Sequence, residues 1–170
     1  MTFLQAQNKT IEKFGYPVTL IAEYEYWVVL MREAQVTLGS IVIAAKSDVT
    51  RVGDLDPLAG AEFIRIAADF EQTLSVLFGA KKFNYMALMM VDPHPHYHAF
   101  PRYSDPVSFL GERCPDEEWP KPPVLSSSLV FTDEQRSRLL SLLQQKWIKQ
   151  QNRKSLCSLR KIIVSVPYVM

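Results

Sequence analysis

The segment from Asp56 to Gly79 constrains the fold of this chain most strongly, because it predicts one long amphipathic helix. Asp56 is a favoured N-cap residue, Pro57 suits the first helical position, and Gly79 suits the left-handed residue that ends a helix. Apolar side chains recur between them at helical spacing: Phe63, Ile66, Ala67, Phe70, Leu74, Leu77 and Phe78. The opposite, solvent-facing side is predicted to consist of Glu62, Arg65, Asp69 and Gln72.

Short apolar segments on both sides of this helix predict strands. Residues 20–31 combine alternation with an apolar run and predict one strand, and residues 38–45 predict a second, β-branched strand. Residues 83–91 are apolar on both faces, as in a strand of a sheet that a helix covers, and residues 94–100 form a further extended segment. Strands with few helices predict an α+β fold with an antiparallel sheet.

The second half of the chain predicts less regular structure. Residues 101–126 carry six prolines and predict a long irregular excursion. Thr132 and Gln135 form a capping-box pattern that opens a C-terminal helix, with Leu139, Leu143 and Trp147 on one side. We predict a single domain over residues 1–150, followed by a basic extension over residues 151–170 in which no periodicity is found.

Composition narrows the class of protein. No apolar run reaches the roughly 18 residues that span a bilayer, and the first residues lack the apolar core of a secretion signal. Cys114 and Cys157 are then expected to stay reduced in a cytoplasmic protein without membrane contact. Eight basic and no acidic residues follow Glu134, but no aromatic–basic repeat accompanies them, so nucleic acid is not an expected partner.

The three histidines of the chain, His94, His96 and His98, occupy alternating positions within five residues. In an extended segment alternate residues share a face, roughly 6.5–7 Å apart, so three imidazoles are predicted in a row. Such a row can bind Zn²⁺, with Asp92 or Asp105 as fourth ligand. It can also attack phosphorus, one imidazole acting as nucleophile while its neighbour assists the leaving group. The spacing leaves both chemistries open.

This segment resembles the motif of the histidine triad superfamily, His-x-His-x-His followed by two apolar residues, here Ala99 and Phe100. The strand around Gly39 and the helix over residues 57–78 are similar to family elements, and the resemblance covers about residues 18–123. The residues before His94 and the Trp119-Pro120 pair are similar to a bacterial branch of nucleotide hydrolases. The resemblance implies an antiparallel sheet of about five strands, one long helix packed on it, a C-terminal helix and a homodimer.

The resemblance also implies roles for the histidines. His96 attacks the α-phosphorus of a dinucleoside polyphosphate or related nucleotide and forms a nucleotidyl-histidine intermediate. The backbone carbonyl of His94 holds the other ring nitrogen of the nucleophile, and His98 contacts phosphate oxygens and helps the leaving group depart. Water then releases a nucleoside monophosphate. No metal is required in the site, and Mg²⁺ enters only as a complex with substrate.

Departures from the family pattern concern substrate binding. Ser40 stands where many members have a histidine, Asp48 replaces another common histidine, and Arg32 falls near the residue that contacts the ribose. The glycine- and glutamine-containing turn that supplies phosphate donors is missing. We therefore expect Arg32, Ser40 and Asn84 to bind substrate, with Ser40 or Asn84 replacing the missing donors.

Two alternatives to hydrolysis remain. The sequence His94-Pro95-His96 is also typical of the galactose-1-phosphate uridylyltransferases, a transferase arm of the same superfamily. Those enzymes have glutamine where this chain has His98, and an imidazole can protonate a leaving group whereas an amide cannot. Hydrolysis is therefore favoured over transfer or phosphorolysis. A non-catalytic nucleotide-binding protein is the other alternative, favoured by Arg32, Ser40 and Asp48 and opposed by the complete triad.

Overall fold

The computed structural model describes residues 8–147, and the basic extension predicted over residues 151–170 lies outside them. The helices and strands, in chain order, are α1 (Lys9–Lys13), β1 (Leu20–Glu23), β2 (Trp27–Met31), β3 (Ile41–Ala45), α2 (Pro57–Phe78), β4 (Lys82–Ala87), β5 (His96–Arg102), β6 (Val107–Phe109), β7 (Glu112–Cys114) and α3 (133–147). A 3₁₀ turn (Val52–Asp54) precedes α2. No helix among the described residues is long and apolar enough to cross a membrane.

One antiparallel sheet holds β1 to β5 in the spatial order β1-β2-β3-β5-β4, and β6 pairs with β7 in a separate hairpin. The predicted α+β fold, with a five-stranded antiparallel sheet and a long helix, is confirmed. Both faces of the central strands are buried. Helices α2 and α3 contribute to the larger apolar core, and a second, smaller apolar cluster contains residues of β2, β3 and α1.

Helix α2 begins and ends where its sequence predicts. The Asp56 carboxylate accepts a hydrogen bond from the backbone N–H of Leu58 at 2.8 Å, and Pro57 occupies the first turn. Gly79 ends the helix with φ of 71°, a conformation that costs glycine little. Ile66, Phe70 and Leu74 on the predicted apolar side are fully buried.

The predicted solvent-facing side of α2 is wrong at two positions. Arg65 and Gln72 are exposed, but Glu62 and Asp69 are buried. The Glu62 carboxylate accepts hydrogen bonds from two backbone N–H groups of the turn between β1 and β2, at 2.7 and 3.2 Å, and Asp69 accepts one from the hydroxyl of Tyr24 in that turn at 2.9 Å. These long-range partners compensate the desolvation of both carboxylates.

The strand boundaries also differ from the prediction. Residues 20–31 form two strands instead of one, because the chain reverses between Glu23 and Trp27 and β1 pairs back on β2. The strand predicted from residue 38 begins at Ile41. Before it, Gly39 adopts φ of 88°, and the Gln35 side chain accepts hydrogen bonds from the N–H groups of Gly39 and Ser40. Strand β4 ends at Ala87, short of the predicted residue 91.

Helix α3 has the predicted capping box. The N–H of Thr132 donates to the Gln135 side chain at 2.9 Å, and the Thr132 hydroxyl accepts from the N–H of Gln135 at 3.2 Å. The predicted apolar side is fully buried at Leu139, Leu143 and Trp147. The indole N–H of Trp147 donates to the hydroxyl of Tyr24 at 2.7 Å, which ties α3 to the turn between β1 and β2.

Candidate active site

Strand β5 places His96 and His98 on the sheet face opposite to α2, which we call the histidine face. His96 lies opposite Ala44 and His98 opposite Val42 on β3, and these partners belong to the smaller apolar cluster. The two imidazole centroids are 5.2 Å apart with the rings nearly perpendicular. Both histidines are buried, and β5 lies between β3 and the edge strand β4.

His94 departs from the predicted row of three imidazoles, because it lies in a bend before β5 begins. Its ring nitrogen Nδ1 lies 2.9 Å from the hydroxyl oxygen of Thr10 in α1. The expectation of a continuous extended segment over residues 94–100 is therefore wrong at its first residues. Pro95 next to it has no N–H to donate, but its carbonyl still accepts a hydrogen bond from the N–H of Ala45 at 2.9 Å.

The backbone of His94 contacts the ring of His96. The His96 Nδ1 atom lies 2.8 Å from the carbonyl oxygen of His94, and a carbonyl only accepts, so Nδ1 carries the hydrogen. In neutral His96 the lone pair then resides on Nε2. That atom is buried and has no hydrogen-bond partner among residues 8–147. In the neutral ring, the geometry thus leaves the lone pair of Nε2 without a hydrogen bond within residues 8–147, as a nucleophile requires.

His98 is held in the neutral form. Burial first, and then the neighbouring His96 and Arg32, lower the pKa of His98, and with Asp92 acting in the opposite direction the pKa is about 4. Its Nδ1 atom is also buried without a hydrogen-bond partner among the described residues. The ring stacks at 6.4 Å on Phe100, two residues further along the same face.

Two of the predicted substrate-binding residues lie beside the end of β2 and the start of β3. Arg32 places its guanidinium 5.9 Å from the ring centroid of Phe100, and its charge acts on His98. Ser40 is fully buried, and its hydroxyl donates to the carbonyl of Thr37 at 2.6 Å. The structure therefore places Arg32 near the histidines. The Ser40 hydroxyl is already hydrogen-bonded within the turn that precedes β3.

Asn84, the third predicted substrate-binding residue, lies opposite Phe100 on β4 and accepts a hydrogen bond from Arg102 at 2.6 Å. Arg102 also forms a buried two-bond ion pair with Asp116, at 2.6 and 3.0 Å. Sequence reasoning missed this pair, which anchors the proline-rich excursion to the end of β5. The binding roles of Asn84, Ser40 and Arg32 stay predictions.

The residues considered for a zinc site do not form a cluster here. Among residues 8–147 no group of three or more histidine, cysteine or acidic side chains is placed to hold a metal ion. Asp92 forms an ion pair with Lys13 at 2.8 Å, and Asp105 accepts from the hydroxyl of Ser104. The ring of His94 is directed to Thr10.

The N-terminal segment is the main component of the site that sequence reasoning missed. Residues 8–16, α1 and the turn after it, cover the histidine face, and we call them the N-terminal cover. The ring of Phe14 lies 5.3 Å from that of His96 and 5.4 Å from that of His98. A signal was present, since Asn8 is an N-cap residue and Ile11 and Phe14 are apolar at helical spacing.

Solved structures similar to this one are histidine triad proteins. One from Sinorhizobium meliloti has a TM-score of 0.63 and 17% identity, covering 82% of this chain and 95% of its own. One from Marinobacter aquaeolei has a TM-score of 0.62 and 19% identity, with coverages of 76% and 88%. A hypothetical histidine triad nucleotide-binding protein from Sulfolobus tokodaii has a TM-score of 0.57 and 15% identity, with coverages of 77% and 84%.

The sequence comparisons give no match. No family model matches this chain, and no curated protein is significantly similar to it in sequence. The likeness to solved structures therefore establishes the architecture, and it does so over most of the length of each molecule. The chain has the histidine triad fold.

Proposed function

We propose that this protein is a nucleotide hydrolase of the histidine triad type, which cleaves at the α-phosphorus with His96 as nucleophile. The observation that carries the proposal is the 2.8 Å hydrogen bond from His96 Nδ1 to the carbonyl of His94. It leaves the lone pair on Nε2, and a second imidazole, His98, lies 5.2 Å away between ring centroids. An activated nucleophile beside a proton-carrying group is the arrangement that covalent catalysis requires.

The reaction proceeds in two steps. His96 Nε2 attacks the α-phosphorus, a phosphorus–nitrogen bond forms, and the bond from phosphorus to the leaving group breaks. His98 donates a hydrogen bond to the departing oxygen, or a proton once its ring is hydrated, so that less negative charge develops there. Water then attacks the same phosphorus, the phosphorus–nitrogen bond breaks with its electron pair returning to Nε2, and a nucleoside monophosphate is released. The proton that the water loses passes to His98 if that ring has given one up, and otherwise to solvent. Mg²⁺ is expected only as a complex with the substrate.

The similarity to solved structures supports a nucleotide as the substrate class. The Sulfolobus tokodaii protein is described as nucleotide-binding, and its structure overlaps most of this chain. The positive charge of Arg32 next to His98 is suited to phosphate oxygens. Dinucleoside polyphosphates are the substrates we expect first, and the homodimer implied by the resemblance belongs to the same prediction.

Nucleotidyl transfer is the second candidate. It has one specific feature in its favour, the proline between His94 and His96, which the transferase arm of the superfamily shares. Transfer and hydrolysis pass through the same intermediate, so they differ only in the acceptor that takes the nucleotidyl group. Orthophosphate or a sugar phosphate is added as an acceptor, and the products formed with and without it distinguish transfer from hydrolysis. Under our proposal water remains the acceptor in both conditions.

Trapping the intermediate tests the mechanism. The protein is mixed with a dinucleoside polyphosphate, a nucleotide phosphoramidate or a nucleotide sugar labelled at the α-phosphate and is quenched rapidly. We expect an acid-labile nucleotidyl adduct that mass spectrometry places on His96. Turnover without label on this residue, with His98→Ala used to slow breakdown of the adduct, contradicts covalent catalysis through His96.

Two substitutions separate the nucleophile from its neighbour. His96→Ala should lower kcat on the order of 10⁴-fold or more, while nucleotide affinity stays within about tenfold, because the nucleophile acts on the transition state. His94→Ala is the matched control, since the backbone carbonyl that holds His96 is retained. It should cost at most about tenfold in kcat. Equal losses in the two variants would refute the assigned roles.

A further inference from the structure

The carbonyl that fixes the tautomer of His96 lies outside the paired part of β5. It belongs to His94, and the hydrogen bond that it accepts from His96 Nδ1 is 2.8 Å long. The register of β5 with β3 begins at His96, and its register with β4 begins at Tyr97. Pro95, between the two histidines, has no N–H with which to continue a ladder. The position of the His94 carbonyl therefore depends on contacts beyond the regular ladder.

Contacts on both sides of this carbonyl hold it in place. It is part of the planar peptide that joins His94 to Pro95. On one side the proline ring fixes φ of Pro95, whose own carbonyl accepts from the N–H of Ala45 at 2.9 Å. On the other side the ring of His94 is hydrogen-bonded through Nδ1 to the hydroxyl of Thr10 in α1, at 2.9 Å. The peptide that contains the carbonyl is thus anchored at both ends.

Helix α1 is a fixed support for the second of these anchors. Thr10 and Asn8 are only 1% and 2% exposed. The Asn8 side chain donates to the carbonyl of Ala45 at the end of β3, at 2.7 Å. Ile11 is fully buried in the smaller apolar cluster, together with residues of β2 and β3. Because the helix is packed into the domain in this way, the Thr10 hydroxyl is held at one position with respect to β3 and to the bend before β5.

We infer that Thr10 is a positioning residue, which holds the ring of His94 so that the carbonyl of the same residue keeps the hydrogen of His96 on Nδ1. The inference rests on the proposed function and adds to it a residue outside the triad. If the carbonyl turns away, the tautomer with its hydrogen on Nε2 becomes populated, and that tautomer has no lone pair on Nε2 with which to attack phosphorus. Loss of the Thr10 hydroxyl should therefore lower the rate of the chemical step rather than the affinity for substrate.

Nitrogen-15 NMR of the histidine rings in the full chain tests this inference without any nucleotide. A ring nitrogen that carries hydrogen and one that carries a lone pair resonate at different frequencies, so the spectrum gives the ratio of the two tautomers of His96. The measurement is made at about pH 8, above the ordinary pKa of imidazole. Thr10→Val retains the shape of the side chain without the hydroxyl. It should change the tautomer ratio about fivefold toward Nε2–H, which is the effect of one ordinary hydrogen bond. Thr10→Ser retains the hydroxyl and should keep the wild-type ratio.

Thr73→Val is the matched control. Thr73 is buried as well, and its hydroxyl donates to the carbonyl of Asp69 within α2 at 2.6 Å, on the other side of the sheet. The tautomer ratio of His96 should be unchanged in this variant. An unchanged ratio in Thr10→Val overturns the inference, and so does an equal change in Thr10→Val and Thr10→Ser. If Thr10→Val does not fold, His94→Ala removes the other partner of the same hydrogen bond and should give the same change of ratio. A wild-type ratio in His94→Ala contradicts the inference.

Nucleotide turnover by the same variants keeps the two proposals separate. Thr10→Val should lower kcat about fivefold and leave KM within about twofold. His94→Ala should lower kcat by the same factor, and the double variant should lose no more than either, because Thr10 acts only through that ring. Losses that multiply in the double variant overturn the inference. A changed tautomer ratio of His96 in a protein that cleaves no nucleotide supports the positioning role and refutes the proposed hydrolase. Turnover with an unchanged ratio supports the hydrolase and refutes the positioning role.

Discussion

Replacing His98 with asparagine should make the fold less sensitive to mildly acidic pH. Burial, together with the neighbouring His96 and Arg32, lowers the pKa of His98 to about 4, from 6.5 for a solvated imidazole. A histidine with a lowered pKa binds its proton more tightly in the unfolded chain than in the folded one. Stability is therefore fully present above pH 6.5 and is lost as the pH falls through the window between these two values.

The magnitude follows from the two pKa values. With 6.5 for the unfolded chain and about 4 for the fold, protonation of the unfolded state removes about 2 kcal/mol of stability between pH 7 and pH 5. Most carboxylates titrate below this range. Much of the difference in stability loss between the wild type and His98→Asn therefore comes from His98.

Urea unfolding at pH 7 and pH 5 measures the effect. The wild type should lose about 2 kcal/mol more than His98→Asn over this interval. Only the difference between the two pH values is compared, so a change in absolute stability caused by the substitution does not matter. Equal losses in the two proteins would refute the argument that the pKa of His98 is lowered in the folded protein.

Three further substitutions test the packing around the site, each by urea unfolding. Gly39→Ala places a Cβ 2.3 Å from Leu74 at a φ of 88°, and should cost about 2 kcal/mol or more; a neutral result would contradict the tight approach. Asp116→Asn leaves Arg102 buried without its charge partner and should cost about 3 kcal/mol, whereas a loss near zero would indicate a hydrated pair. Glu62→Leu leaves two backbone N–H groups of the turn between β1 and β2 unsatisfied and should cost about 2 kcal/mol; unchanged stability would show that water replaces the carboxylate.

Local signals predicted the regular elements well. Helix α2 has its cap at Asp56 and its end at Gly79 because both depend on residues adjacent in sequence. The capping box at Thr132 was predicted for the same reason, because its partner Gln135 is close in sequence. The histidine pair on β5 also follows from local alternation, since His96 and His98 share a face of one strand.

Features that depend on distant partners could not be predicted in this way. Glu62 and Asp69 look solvated on a helical projection, and only the fold brings the turn between β1 and β2 over them. The sequence predicts a single strand over residues 20–31 and does not indicate the chain reversal within it, because the apolar pattern continues through the turn. Helix α1 has only a brief local signal, an N-cap residue and two apolar residues at helical spacing. Its position on the histidine face depends on contacts such as that of Thr10 with His94, 84 residues away.

The contact between Trp147 and Tyr24 has a consequence for synthesis of the chain. The two residues lie 123 positions apart, and the Trp147 ring also packs 6.2 Å from that of Phe70 on α2. A ribosome releases the sheet and α2 well before α3, so this part of the apolar stripe of α2 stays open to water until α3 emerges. A nascent chain that stalls before residue 133 thus presents a hydrophobic surface to chaperones and proteases, which the completed domain conceals.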